Sequence, residues 1–237
     1  MTLRIGIDTG GTFTDVVAFD DTTGRTVVTK VPSTPKNPAA AFVEAIRSIL
    51  DVVGGRPPDV GFLSHGTTVA TNTLLERKGA RTGLVTTEGF RDVYEIRRLN
   101  RPYRDLYNVF WTKPEPLVPR YLRHEVRERL DVDGNALVAL DSASVARVAA
   151  ALKAESVESV AVCFLHSYVN PEHERRAGGI LREALPGVSI SLSHEVNPEY
   201  REYERTTTTI VNAAVAPIIE RYLADLESRL TEAGIPV

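Results

Sequence analysis

The chain has 237 residues, and its 28 lysines and arginines against 31 aspartates and glutamates leave a formal charge of −3, with apolar and charged fractions ordinary for a globular protein. That balance, with the arginines spread along the chain, gives no electrostatic footing for nucleic acid, and no apolar run reaches membrane-spanning length. A single cysteine, Cys163, excludes an internal disulfide framework and any multi-cysteine metal site, and no apolar leader precedes Arg4, so the expected compartment is the cytoplasm.

The first predicted element is a hairpin. An alternating strand from Leu3 to Asp8 ends at a carboxylate, turns through Gly10 and Gly11, and leaves as a second strand from Thr14 to Asp20. Glycines in that turn can take positive φ and let backbone N–H groups crowd an anion, while Thr9, Thr12 and Thr14 add hydroxyl donors. Asp8 is placed to hold Mg²⁺ through water, because that small cation keeps much of its hydration shell. Asp15 is either a base, a second carboxylate near the metal, or a cap on the loop's own N–H groups. The chain contains neither a Gly-x-x-x-x-Gly-Lys-Ser/Thr loop nor a Gly-x-Gly-x-x-Gly loop.

A third strand is predicted over Thr26 to Val31. Asn37-Pro38 then supplies an N-cap and first residue for a helix that buries Phe42, Ala45, Ile46, Ile49, Leu50 and Val53 and stops at Gly54-Gly55. A strand from Val60 to Ser64, a helix from about Thr68 to Lys78 and a strand from Thr82 to Thr86 follow. The string Ser64-His65-Gly66-Thr67-Thr68 joins strand to helix, where open α/β sheets bind ligands. His65 is a candidate to orient or protonate substrate, and Gly66 and Thr67 to receive an oxyanion on backbone N–H groups, with Thr71 and Asn72 one turn on.

Residues 95–134, rich in arginine, proline and aromatics, read as an insertion, with Arg97, Arg98, Arg101 and Arg104 either clamping an anionic substrate or partner or lying in solvent. An α/β pattern resumes with a helix carrying Val145, Val148, Ala149 and Leu152 inward and a strand over Val160 to Leu165. A helix opened by Asn170-Pro171 and a strand from Val188 to Ser193 follow. The other histidines, His124, His166, His173 and His194, lack metal-ligand spacing. Asn197-Pro198 is expected to open a last helix to about Ala233, kinked at Pro217, whose apolar stripe from Tyr200 to Leu230 has too little partner surface in what precedes it.

The run Arg4 to Asp20 (RIGIDTGGTFTDVVAFD) resembles the first phosphate motif of the actin, hexokinase and sugar-kinase superfamily. With Ser64 to Asn72 (SHGTTVATN), Arg81 to Asp92 (RTGLVTTEGFRD), Pro116 to Arg120 (PLVPR), Glu125 to Asp131 (EVRERLD) and Glu202 to Asn212 (EYERTTTTIVN), the chain is similar to the amino-terminal part of the hydantoinase A / 5-oxoprolinase family, which includes the acetone carboxylase β subunit. The resemblance implies an α/β, ribonuclease-H-like half of an actin/hexokinase-type ATPase, with an inserted segment and a long final helix. It implies a domain over residues 1–196, with residues 197–237 opening a following hydantoinase A domain.

It also implies ATP and Mg²⁺, with catalytic roles for Asp8, Asp15 and His65, metal on Asp8, and phosphate contacts from Thr9, Gly10, Gly11, Thr12, Thr14, Gly66 and Thr67. The implied reaction phosphorylates the carbonyl oxygen of a cyclic amide or imide for hydrolytic ring opening. A hydantoinase B-type subunit or domain completes it, in a hetero-oligomer without nucleic acid or membrane. ATP-dependent carboxylation of the acetone carboxylase type is the alternative, followed by a nucleotide-gated activator and by an inactive, phosphate-binding fragment. A second Asp-x-Gly-Gly loop is absent after residue 100, so the chain is expected to be one piece of a longer protein, inactive alone and prone to self-association through its last helix.

Overall fold

The computed structural model describes residues 2–34, 37–99 and 101–236; Asn100, inside the predicted insertion, lies outside them. The chain is mixed α/β and divides into two compact units, Met1–Glu76 with Ile218–Val237, and Arg77–Pro217.

In the first unit β1 (Leu3–Thr9), β2 (Phe13–Asp20), β3 (Thr26–Pro32) and β4 (Val60–Thr67) form one sheet in the order β3-β2-β1-β4. The first three strands are antiparallel and β4 joins β1 in parallel. Strict alternation of buried and exposed residues along β1 and β2 gives the sheet one covered and one open face. Helix α1 (Pro38–Val53) begins as its sequence dictates: the Asn37 side chain accepts from Ala40 N, Pro38 needs no N–H partner, and Gly54 ends it in the left-handed conformation. Its Phe42, Ala45, Ile46 and Ile49 bury against Leu3, Ile5, Ile7, Val16 and Ala18. Each large side chain so buried contributes about 1.5–3 kcal/mol. The open face carries Val17, Phe19, Val28 and Phe62, all exposed.

In the second unit β5 (Thr82–Thr87), β6 (Arg123–Val126), β9 (Ser159–Cys163) and β10 (Ser189–Leu192) form an all-parallel sheet in the order β10-β9-β5-β6. Helices α4 (Ser142–Ala154) and α5 (Glu172–Ala184) make two of the crossovers, β6 to β9 and β9 to β10, and β7 (Arg129–Leu130) pairs with β8 (Ala136–Val138) as a small hairpin. The predicted insertion is therefore partly regular: beyond α3 (Val93–Ile96) and two single 3₁₀ turns, it gives the sheet its edge strand β6. The remaining elements are α2 (Val69–Leu75), α6 (Ser193–Val196) and α7 (Glu202–Glu232).

Two expectations for the end of the chain are corrected. Asn197-Pro198 does not open the last helix: Asn197 ends α6, Arg201 has φ +79°, and α7 starts at Glu202. Nor is the apolar stripe without partners. Ile210 and Ala213 are buried in the second unit's core, and Tyr222, Leu226 and Leu230 in the first unit's, against the covered face of its sheet. In the first unit the open sheet face exposes several large apolar side chains together. No helix among the described residues is long and apolar enough to cross a membrane.

Candidate functional site

The β1–β2 turn joins Thr9 to Phe13 through Gly10, Gly11 and Thr12, closed by Gly10 N–H donating to Phe13 O at 3.0 Å and tied to the end of β3 by Ser33 N–H donating to Thr12 O at 2.9 Å. Neither glycine adopts the left-handed φ that the sequence suggests. Their absent side chains matter for space instead. A Cβ on Gly10 would sit 3.0 Å from Phe13 O, and one on Gly11 would meet nothing within 4 Å, so the loop is tight on one side and open on the other.

Register fixes which side chains share the open face. Asp8 lies opposite Asp15 across β1–β2, Asp15 opposite Lys30 across β2–β3, and Gly66 beside Asp8 across β1–β4. The result is a row Gly66, Asp8, Asp15, Lys30 running across all four strands at the loop end of the sheet. Asp8 leans over Gly66, where a Cβ would come within 3.0 Å of its Oδ1. Lys30 Nζ lies 3.0 Å from Asp15 Oδ1. Two neighbouring, solvent-facing carboxylates with one cation on the far side can hold a divalent ion through one or two oxygens and water, the donor set Mg²⁺ uses.

The same register removes other candidates from that face. Thr14 is buried and its hydroxyl bonds Ser33 Oγ at 2.9 Å; Thr9 is buried too, its hydroxyl without a partner among the described residues. Both lie on the covered face, so neither hydroxyl is presented to an anion beside Asp8, whereas Thr12 in the turn is exposed.

His65 also lies on the other face from Asp8. It pairs with Ile7, not Asp8, and therefore projects to the covered face. There its ring packs edge-on against Phe42 at 4.4 Å and its Nε2 bonds Tyr222 Oη at 2.6 Å. Burial pushes its pKa below the ordinary 6.5 and outweighs the opposing pull of Asp8. Thr67 shares that face, and its Oγ1 accepts from Val69 N at 3.3 Å, while Asn72 Nδ2 donates to Thr68 Oγ1 at 3.2 Å.

A lowered histidine pKa means that folding favours neutral imidazole. The contribution is complete above the unfolded value near 6.5 and is lost as pH falls through the lower folded value. Substituting His65→Phe should cost about 1–3 kcal/mol at pH 7, where Tyr222 loses its partner, and less at pH 5. Turnover of the complete protein should change less than tenfold. Urea unfolding at the two pH values, beside a turnover assay, checks this; a hundredfold loss of activity would return His65 to the chemistry.

Sequence reasoning missed Lys30, although alternation places it on the polar face once the two hairpins are folded. It also missed two buried networks of the second unit. Glu128 bonds both the Thr87 hydroxyl and His173 Nδ1, and burial raises its carboxyl pKa. Glu174 accepts from Phe164 N, Ser193 Oγ and His194. Cys163 is buried beside them, its thiol pKa pushed up by burial. No group of three or more His, Cys, Asp or Glu side chains among the described residues is placed to hold a metal ion.

Residues 4–185 match the hydantoinase/oxoprolinase N-terminal region. The chain is 37% identical to the caprolactamase α subunit of Pseudomonas jessenii over 98% of its own length and 34% of that subunit's. It is 34% identical to the 5-oxoprolinase of Saccharomyces cerevisiae over 98% of its length and 21% of that protein's. The solved ATP-dependent caprolactamase from P. jessenii superposes with a TM-score of 0.89 over 99% of this chain and 34% of that one. Nucleotide-free acetone carboxylase, described as an ATP-dependent enzyme, superposes with 0.88 at 29% identity over 99% and 35%. The chain thus spans about a third or less of the length of these relatives. Its match to the family over most of its residues, together with these likenesses, makes it a member of the hydantoinase/oxoprolinase family.

Proposed function

We propose that this chain is the phosphate-binding, amino-terminal part of an ATP-dependent enzyme that activates a cyclic amide for hydrolysis. The observation that carries the reading is the row Gly66, Asp8, Asp15, Lys30 beside a loop open above Gly11. Mg²⁺ would sit with Asp8, and with Asp15 as a second carboxylate, neutralising the β and γ phosphates as charge develops. Gly10, Gly11 and Thr12 offer backbone N–H groups and one free hydroxyl to the phosphates, as anion-binding turns do. Gly66 is the bare surface that lets Asp8 take its position. The γ-phosphoryl group would pass to the amide carbonyl oxygen and ADP would leave. One water would then attack the activated carbon and expel the ring nitrogen as the amine, leaving an acyl phosphate, and a second water would hydrolyse that to the carboxylate and phosphate.

The ribonuclease-H-like assignment of the first unit rests on three antiparallel strands followed by a helix and a parallel fourth strand. A second subunit of the hydantoinase B type is the expected partner, since the caprolactamase relative is itself a subunit. The same site serves ATP-dependent carboxylation equally well, and the likeness to acetone carboxylase keeps that second reading. Complete protein supplied with Mg-ATP separates them. ADP release stimulated by 5-oxoproline, hydantoin or ε-caprolactam supports ring opening, stimulation only by a ketone with bicarbonate moves the assignment to carboxylation, and no stimulation by any of them sinks both. The 237-residue chain alone, with one phosphate loop, is expected to show no appreciable turnover.

A further inference from the structure

The second unit holds a pocket of about 280 Å³ that the phosphate site does not use, with Leu99 and Trp111 on its apolar side and Glu95, Arg97, Arg101 and Lys113 on its charged side. Its one carboxylate is already committed. Glu95 pairs with Lys113 through one oxygen and with the buried Arg123 through the other, and these cations, Lys113 foremost, hold its carboxyl below the usual range. Arg101 lies 5.2 Å from the centre of the Trp111 ring and donates to Asn108 O. The pocket therefore keeps a net positive charge against a flat apolar wall.

Arg97 and Arg101 are the pocket's two guanidinium groups without a carboxylate among the described residues, and Arg101 is occupied by Asn108 O and the Trp111 ring, whereas Arg98 has Glu204, Arg104 has Asp105 and Arg120 has Asp92. Arg97 has none among the described residues, and its Nε–H donates to Tyr203 Oη at 3.3 Å, which orients the guanidinium and leaves the terminal N–H groups for a planar oxyanion. The backbone supports the same reading. Arg97 has φ +61° and ψ −137°, and Leu99 has φ +55°, conformations unfavourable for any side chain with a Cβ that persist where the surroundings impose them. Lys113 Nζ donates to Glu95 O at 2.9 Å two residues before Arg97.

We propose that this pocket binds a small organic carboxylate with a flat or apolar body, the carboxylate on Arg97 and the body against Trp111 and Leu99. A bare inorganic anion would leave the apolar wall unused, and a neutral lactam would leave Arg97 unpaired. The pocket shares no residue with the phosphate row proposed above and its binding test needs no nucleotide, so its failure would leave that reading untouched.

Trp111 is the only tryptophan in the chain, so its fluorescence reports occupancy directly. The purified chain is titrated with 5-oxoproline, a lactam bearing a carboxylate, with ε-caprolactam, a lactam without one, with benzoate and with inorganic phosphate. The expected result is a saturable change with 5-oxoproline or benzoate, at least tenfold weaker binding of ε-caprolactam and phosphate, and a tenfold or greater loss in R97Q. R97K should recover part of that loss, and R98Q, whose arginine has its own carboxylate, should bind like the wild type; circular dichroism checks that the variants stay folded. Equal binding of ε-caprolactam or phosphate, wild-type affinity in R97Q, or no saturable change with either carboxylate would each overturn the assignment.

Discussion

Asp8→Asn in the complete protein is expected to lower Mg-ATP turnover at least a hundredfold while leaving stability within about 0.5 kcal/mol of the wild type. The two halves of that expectation come from the same geometry. Asp8 is exposed on the open face of its sheet, so no buried contact is lost. It stands directly opposite Asp15, so removing its charge relieves a like-charge neighbour and offsets any small loss. What goes is the negative charge that would position the metal on the phosphates, and higher Mg²⁺ should restore activity only in part. Gly66→Ala is the companion change. Its Cβ would arrive 3.0 Å from Asp8 Oδ1, so the carboxylate must shift by a few tenths of an ångström, and a roughly tenfold loss should follow, since misplacement on this scale is costly at a reacting centre. Steady-state turnover against Mg²⁺ concentration, beside urea unfolding, reads both effects. Wild-type turnover in Asp8→Asn would remove the row of polar residues from the chemistry.

Much of the first unit was legible because its signals are local. Alternation marked three strands, and Asn37, Pro38 and Gly54 marked both ends of α1. Asp8, Asp15 and Lys30 each sit where alternation along their own strands turns them outward. His65 could not be placed that way. Its face depends on the register of β4 against β1, set by residues about sixty positions apart, and a slip of one residue would have turned it toward Asp8. Thr9 and Thr14 show the same limit: clustered hydroxyls beside glycines suggest a ligand, yet on alternating strands half of them must face inward.

The second unit was harder to read because its polar residues serve its interior. Arg123-His124-Glu125-Val126 does not read as a strand by composition, yet it pairs with β5, and the Arg123 guanidinium is buried there on Val118 O and Glu95. Asn197-Pro198 has the signature of a helix start, but Glu174 binds Ser193 and the His194 backbone and sets a short helix just before it. The stripe on α7 was visible from periodicity, whereas its partners, drawn from both units' cores, were not.

Arg205→Met should be the most destabilising single change in the second unit, costing about 3–5 kcal/mol. Arg205 is 1% exposed, and its guanidinium donates to Ser193 Oγ at 3.2 Å, Glu199 O at 2.8 Å and Phe164 O at 2.8 Å, with the Tyr168 ring 5.2 Å away. Methionine fills much of the volume but donates nothing, so two carbonyls lose a charged donor. Glu174, fully buried and joined to Arg205 through Ser193 Oγ, loses the cation of its network. Surface pairs such as Arg104–Asp105 offer the contrast, because water replaces a lost partner there and the cost stays within about 1 kcal/mol. If the network acts as a unit, Arg205→Met and Glu174→Gln together should cost less than the sum of the two alone, with a coupling of about 1–3 kcal/mol. Urea unfolding followed by Trp111 fluorescence, a probe in the same unit, measures all four proteins of the cycle. A loss under 1 kcal/mol for Arg205→Met would mean that the apolar core around Phe164 and Leu192 holds the carboxyl ends of β9 and β10 together without it.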